Sequence, residues 1–212
     1  MVDSGIHAGH PHVGHVLDGA NLVPGADAAD FTDRLGHGTA VAAAIREKCP
    51  AADLIAVRVF DRQLATSAHV LARAIETSVQ RGARLINLSL GTSNAAHSEL
   101  FGAAVDCAHE AGAIVVSARK SGDVRWFPGS LPLVAGVEVD WSLERDQLEI
   151  LEDDAGVVFR ASGYPRPIPG VPRERNLSGL SFAVANVTGF LARGMEARSW
   201  PAVIEIVCDL RT

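Results

Sequence analysis

Three short stretches of the sequence carry residues able to do nucleophilic chemistry. Gly179-Leu-Ser-Phe-Ala183 sets Ser181 after a small residue and ahead of an apolar run at helical spacing. A serine at a helix start lies beside backbone N–H groups that have no intrahelical partner, and these can stabilise the oxyanion formed when a hydroxyl attacks a carbonyl. The same pattern also suits an N-cap serine opening an ordinary buried helix. Val2-Asp3-Ser4-Gly5-Ile6 places an acid between a short apolar entry and a glycine. That fits the carboxyl edge of a parallel sheet, and equally an Asx-turn at a strand end. Asp33-Arg-Leu-Gly-His-Gly-Thr39 holds His37 between glycines that let backbone and substrate approach an imidazole closely, or else His37 is a capping or surface residue. Four further histidines, His7, His10, His12 and His15, crowd the stretch after Asp3. His10 and His12 could ligate a metal from one face, but no acid or cysteine completes a set, so no metal site is expected.

Residues so far apart can meet only if regular elements bring them together. Apolar β-branched runs alternate with helical patterns: a strand over Asp53–Phe60, a helix over Ala68–Arg81, a strand over Arg84–Leu90 and a helix from about Ser98 to Ala111. Gly112 is expected to end that helix as its C-cap, with a strand opening at Ala113. Leu131–Val139 and Gly156–Arg160 read as further strands, and the acidic stretch Leu143–Asp154 reads as a surface hairpin or loop. Gly163–Arg173 holds four prolines and is expected to be an exposed loop leading into the Ser181 stretch. Strands apolar on both faces, alternating with helices, predict an α/β fold with a mainly parallel central sheet and helices on both faces.

Composition narrows the function classes. The 212 residues are enough for one sizeable core, and no linker or repeat divides them, so residues 1–212 are expected to form a single domain. The formal net charge is −6 and no stretch gathers lysine and arginine, which argues against nucleic acid as a partner. Cys49, Cys107 and Cys208 are widely separated and form no CxxC pair, which excludes a disulfide framework and is compatible with a reducing compartment. No apolar run reaches the roughly twenty residues of a membrane span, and no signal-like segment opens the sequence, so a cytoplasmic protein without membrane attachment is expected.

Taken together, in the order Asp, His, Ser, the three stretches are far more specific than any one alone. The sequence resembles the subtilisin-like serine peptidases, in which the triad follows this chain order. The resemblance runs from residue 3 to 189: Asp3-Ser-Gly-Ile with His10-Pro11, Gly36-His-Gly-Thr-Ala-Val-Ala42, Ile86-Asn-Leu-Ser-Leu-Gly91, Gly179-Leu-Ser-Phe-Ala183 and Val187-Thr-Gly189. It implies a three-layer α/β sandwich and a serine endopeptidase acting on a peptide or protein substrate, with Ser181 as nucleophile, His37 as general base and Asp3 orienting the imidazole. It also implies that Ser89, Leu90 and Gly91 pair with an extended substrate backbone and that Ala118 forms the facing wall. No cofactor is expected; calcium is frequent in the family, but its carboxylates cannot be matched here.

Departures from the pattern matter as much. Lys120 stands where the family carries an oxyanion-hole asparagine, and losing one such donor costs about 10²–10³ in rate within this family. Either the Lys120 ammonium donates in its place, or the site has lost its donor and the chain is a pseudo-peptidase that binds a peptide or partner protein. Leu180 and Phe182 flank the nucleophile with unusual apolar bulk, and Ala185 replaces a customary proline. Only two residues precede Asp3, so its strand is expected to be short, without a propeptide before it, and open to completion by residues of a protein partner. Trp126-Phe-Pro-Gly129 resembles a family Tyr-Pro-Gly loop and is expected to serve packing. A dedicated substrate such as a precursor peptide is the expectation, with ligation or cyclisation as a further outcome of the same chemistry.

Overall fold

In the computed structural model, which describes residues 1–153 and 156–196, eight strands form one sheet. The strands are β1 (Val2–Asp3), β2 (Asp18–Asn21), β3 (Ile55–Arg58), β4 (Leu85–Leu88), β5 (Ile114–Ala118), β6 (Lys120–Ser121), β7 (Val124–Arg125), β8 (Val134–Val139), β9 (Leu148–Asp153) and β10 (Gly156–Ala161). The helices are α1 (His37–Lys48), α2 (Ala68–Gln80), α3 (Ser98–Glu110) and α4 (Leu180–Glu196). The sheet order is β2-β3-β1-β4-β5-β8-β10-β9, while β6 and β7 form a separate antiparallel hairpin. Every sheet pairing is parallel except that of β9 with β10.

Strand alternation sends residues to two buried layers. Val57, Ile86 and Val115 pack with Leu71 and Ile75 of α2 and Phe101 and Val105 of α3 on one face. On the other face Ala56 meets Val41 and Ile45 of α1 with Ala185 of α4, and Val116 and Val137 meet Val184, Val187 and Leu191 of α4. The α/β architecture with helices on both faces is therefore as expected. Ser67 caps α2 by accepting from Val70 N at 3.3 Å. Gly112, at φ 73°, ends α3, with Ala113 N bonding Ala108 O at 2.8 Å and Gly112 N bonding His109 O at 2.9 Å.

Of the two forms expected for the acidic stretch, surface hairpin or loop, the structure shows the hairpin: Leu148–Asp153 is the sheet's edge strand and pairs antiparallel with Gly156–Ala161 throughout. Its outward acids blunt an edge that would otherwise invite another strand, which is why the stretch reads as loop by composition. The short strand Asp18–Asn21, with too few apolar residues to announce itself, is also sheet.

Chain order fixes where a site can form. β1 lies between β3 and β4, so the chain passes from β1 toward β2 and β3 on one side and then crosses to β4 and β5 on the other. That reversal opens a crevice at the carboxyl ends of β1 and β4, the usual ligand site of such sheets. Asp3 ends β1 there, and Ser89 follows β4. No helix among the described residues is long and apolar enough to cross a membrane. Cys208 lies outside the described residues.

Candidate active site

Asp3 is fully buried, and its Oδ1 accepts from Ser4 N and lies 2.7 Å from His37 Nδ1. His37 is the first residue of α1, entered through Gly36 at φ 81°. Burial of the ring opposes its protonation, but the hydrogen bond to Asp3 and the charges of Asp3 and Asp33 outweigh it and raise the imidazole pKa above its ordinary value. An N–H at Nδ1 facing a carboxylate leaves Nε2 as the free acceptor, the tautomer a general base requires.

Ser181 occupies the second position of α4, where backbone N–H groups still lack intrahelical acceptors. The next residue, Phe182, is buried, and its ring centroid lies 5.7 Å from that of His37, so the imidazole sits beside the first turn of α4. The Ser181 hydroxyl donates to Ser89 O at 3.1 Å in this state. Rotation about its Cα–Cβ bond is needed to turn it toward the base, a rearrangement common in unliganded sites. α4 is tied to the sheet by polar side chains. Asn87 Nδ2 donates to Ser89 Oγ at 2.8 Å, Ser89 Oγ donates to Ser181 O at 3.3 Å, and Thr188 Oγ1 donates to Asn87 Oδ1 at 3.0 Å.

The expected substrate walls lie on neighbouring strands, Ser89–Gly91 after β4 and Ala118 at the end of β5. Leu90 and Gly91 are partly exposed, whereas Ala118 is buried against the α4 layer. The Trp126–Gly129 loop packs against both walls, as expected. Phe127 and Thr92 exchange backbone bonds of 2.8 and 3.0 Å, and Gly129 lies so close to Ala118 O that a Cβ there would stand 1.9 Å away. Lys120 is exposed, opposite Arg125 in the β6–β7 hairpin, and among the described residues its ammonium has no hydrogen bond to Ser181 or His37. The rings of His7, His10 and His12 cluster, with centroids 6.4 and 5.2 Å apart, but no group of three or more His, Cys, Asp or Glu among the described residues could hold a metal ion.

Sequence reading passed over Asp33. Its Oδ1 accepts from Ser4 Oγ at 2.8 Å and from Leu35 N and Gly36 N at 2.9 Å, while Oδ2 accepts from Thr39 N at 2.8 Å and Thr39 Oγ1 at 2.6 Å. Ser4 Oγ in turn accepts from Gly38 N at 2.9 Å, so one carboxylate joins the loop after Asp3 to the turn bearing His37. The available signal was an acid four residues before a histidine, followed by a threonine, at a helix entry. Close packing fixes the same junction: a Cβ on Gly38 would stand 2.2 Å from Gly5 O and 3.2 Å from Asp3 Cβ. Gly38→Ala is expected to destabilise the fold by about 1–3 kcal/mol, since backbone cannot yield as a flexible side chain can, and thermal melts against wild type measure it.

Known proteins are similar to this chain in sequence and in fold. The subtilase family model matches residues 1–125. The chain is 35% identical to a thermostable alkaline protease of Halalkalibacterium halodurans, over 91% of this chain and 55% of that protein, so it spans about half the length of that curated relative. Among solved structures it is similar to the prenylagaramide maturation protease PagA, with a TM-score of 0.69 at 24% identity over 95% of this chain and 76% of that one. It is similar also to a lanthipeptide protease, with a TM-score of 0.70 at 19% identity over 96% and 76% of the two chains. With the family model covering more than half of its length, and the Asp-His pair and the serine-bearing helix meeting at one crevice, the chain belongs to the subtilase family.

Proposed function

We propose that this chain is a serine endopeptidase in which Ser181 attacks the scissile carbonyl, His37 takes its proton and Asp3 holds the imidazole. The observation that carries this reading is the 2.7 Å contact of Asp3 Oδ1 with His37 Nδ1, at a ring seated beside the first turn of α4. Attack forms the Oγ–C bond as His37 Nε2 accepts the hydroxyl proton. The proton then passes to the leaving amine as the C–N bond breaks, and water, activated by the same base, releases the acyl group. The N–H groups at the start of α4 stabilise the oxyanion. Labelling with a fluorophosphonate tests this directly: wild type is expected to carry one adduct on Ser181 and Ser181→Ala none. An unlabelled wild-type protein would instead support a pseudo-peptidase, the reading favoured by Lys120 in place of an amide donor.

The substrate we infer is a dedicated peptide, such as a precursor leader, rather than unfolded protein at large. Support comes from the likeness to a prenylagaramide maturation protease and a lanthipeptide protease, and from Leu180 and Phe182 on either side of the nucleophile. Ready digestion of unrelated unfolded proteins would sink this idea. Product masses distinguish hydrolysis from transfer to another amine. A protein partner that completes β1 at its amino end, between β3 and β4, fits the same reading, because a cleft of about 480 Å³ lies at the amino ends of β3 and β4, bordered by Met1, Ile55 and Leu85.

A further inference from the structure

We propose that the cleft beside the β6–β7 hairpin binds a carboxylate of the peptide substrate, with Lys120 and Arg125 as the residues that select it. This rests on the peptidase reading above and adds to it the charge of what is cleaved. Lys120 and Arg125 stand directly opposite each other in the antiparallel register. Like charges so placed destabilise a hairpin, and an anion bound between them would relieve that repulsion. The cleft, about 350 Å³, places Arg119, Lys120, Arg125 and Arg160 against only two carboxylates, Glu138 and Asp153. Those carboxylates are taken by the other two cations: Arg119 reaches Asp153 at 2.8 Å and Glu138 at 3.4 Å, and Arg160 reaches Glu138 at 3.5 Å. Among the described residues Arg125 touches only the Ser130 carbonyl, at 3.4 Å, and the Phe127 ring, and neither it nor Lys120 forms an ion pair. Two positive charges are left unmatched on a protein whose formal net charge is −6, a local excess against the sign of the whole.

Position makes this excess relevant to substrate. Lys120 lies two residues beyond Ala118, the end of β5, and β5 adjoins β4, whose continuation Ser89 receives the Ser181 hydroxyl. Arg125 lies two residues before Phe127, whose backbone exchanges bonds with Thr92 next to Gly91, so the hairpin adjoins both expected substrate walls and a peptide seated between them runs beside it. The hairpin base is held firmly, since Arg119 O accepts from Trp126 N at 2.9 Å and Ser130 Oγ at 2.7 Å. Cations beside the peptide favour a substrate carboxylate, either an acidic side chain or a chain terminus, over its amide counterpart.

Binding to the Ser181→Ala protein tests the proposal without requiring turnover. The probes are fluorescein-labelled octapeptide pools of uncharged residues with one Glu, or one Gln, walked through the four central positions, each made as free acid and as C-terminal amide. At 50 mM salt we expect a Glu pool to bind at least about five-fold tighter than its Gln partner at one position, or the free acids to bind tighter than the amides. The first result assigns the cleft to a side chain and the second to a terminus. The preference is expected to shrink at 1 M salt, where the Debye length is about 3 Å, and to vanish in Lys120→Gln/Arg125→Gln and reverse in Lys120→Glu/Arg125→Glu. No preference at any position, or one that survives both double variants, overturns the assignment. Failure of every pool to bind overturns it as well, and fluorophosphonate labelling of the wild-type serine then shows separately whether the peptidase reading stands. Melting curves of the double variants confirm that this exposed hairpin folds.

Discussion

Replacing Asp3 with Asn is expected to slow fluorophosphonate acylation of Ser181 by about 10⁴-fold, the scale set by tautomer loss in a serine triad. The geometry explains why an isosteric change should be so severe. Asp3 Oδ1 faces two partners at once, Ser4 N at 2.7 Å and His37 Nδ1 at 2.7 Å, while Oδ2 is buried with no hydrogen-bond partner. If the Asn oxygen keeps the Oδ1 position, its NH₂ group enters the unpartnered buried site and the imidazolium loses its counter-charge. If the amide flips, its NH₂ group meets the Ser4 N–H and forces Nδ1 to accept, leaving the proton on Nε2 where the serine needs a base. Neither arrangement preserves function. A buried donor without an acceptor costs about 1–3 kcal/mol, so the variant should melt lower yet remain folded. Labelling within about ten-fold of wild type would show that Asp3 does not orient His37.

How far this could be foreseen differs from residue to residue. The stretches bearing Asp3, His37 and Ser181 stood out because their glycines and small residues are demanded by local geometry, as at Gly38 against Gly5 O. Helices α2 and α3 were legible from apolar residues at helical spacing, and the strands β3, β4 and β5 because burial on both faces leaves near-continuous apolar runs. β9 was legible only as either a hairpin or a loop, because its side chains are mostly exposed and only its pairing with β10 makes it a strand. The role of Asp33 was hidden for another reason. Two of its five donors lie nearby in sequence at Leu35 and Gly36, as in any helix entry, and only the bond from Ser4 Oγ, across 29 positions, reveals a junction between the acid and base loops. Likewise Lys120 could be aligned with an oxyanion donor by order alone, whereas its opposition to Arg125 depends on the hairpin.

Asp33→Asn is expected to lower stability by about 2–3 kcal/mol near neutral pH and to move the acid limb of activity to lower pH. The stability loss follows from its five donors, because an amide presents one oxygen and turns an NH₂ group toward groups that donate. Its pH dependence has a definite sign. Burial pushes the Asp33 carboxyl pKa up, but the bonds from Thr39, Leu35 and Ser4 outweigh this and hold it below the usual carboxylate range. A carboxyl depressed in the folded state stabilises above its unfolded pKa, near 4, and that contribution is lost as pH falls through the folded value. The gap between wild type and Asp33→Asn in denaturant melts should therefore be full at pH 7 and narrow below about pH 4. Activity reports on a different group. In the proposed mechanism His37 must be neutral to accept the serine proton, and the Asp33 charge is one of the influences that raise its pKa, behind burial, which opposes them, and Asp3. Removing that charge lowers the imidazole pKa, so the rise of kcat/KM with pH should begin earlier in the variant. A residue that only braced the fold would reduce activity at every pH and leave the limb in place, and that outcome would confine Asp33 to structure. A shifted limb would show that the Asp33 charge acts on the base, beyond bracing the two loops through the Ser4 and Thr39 bonds.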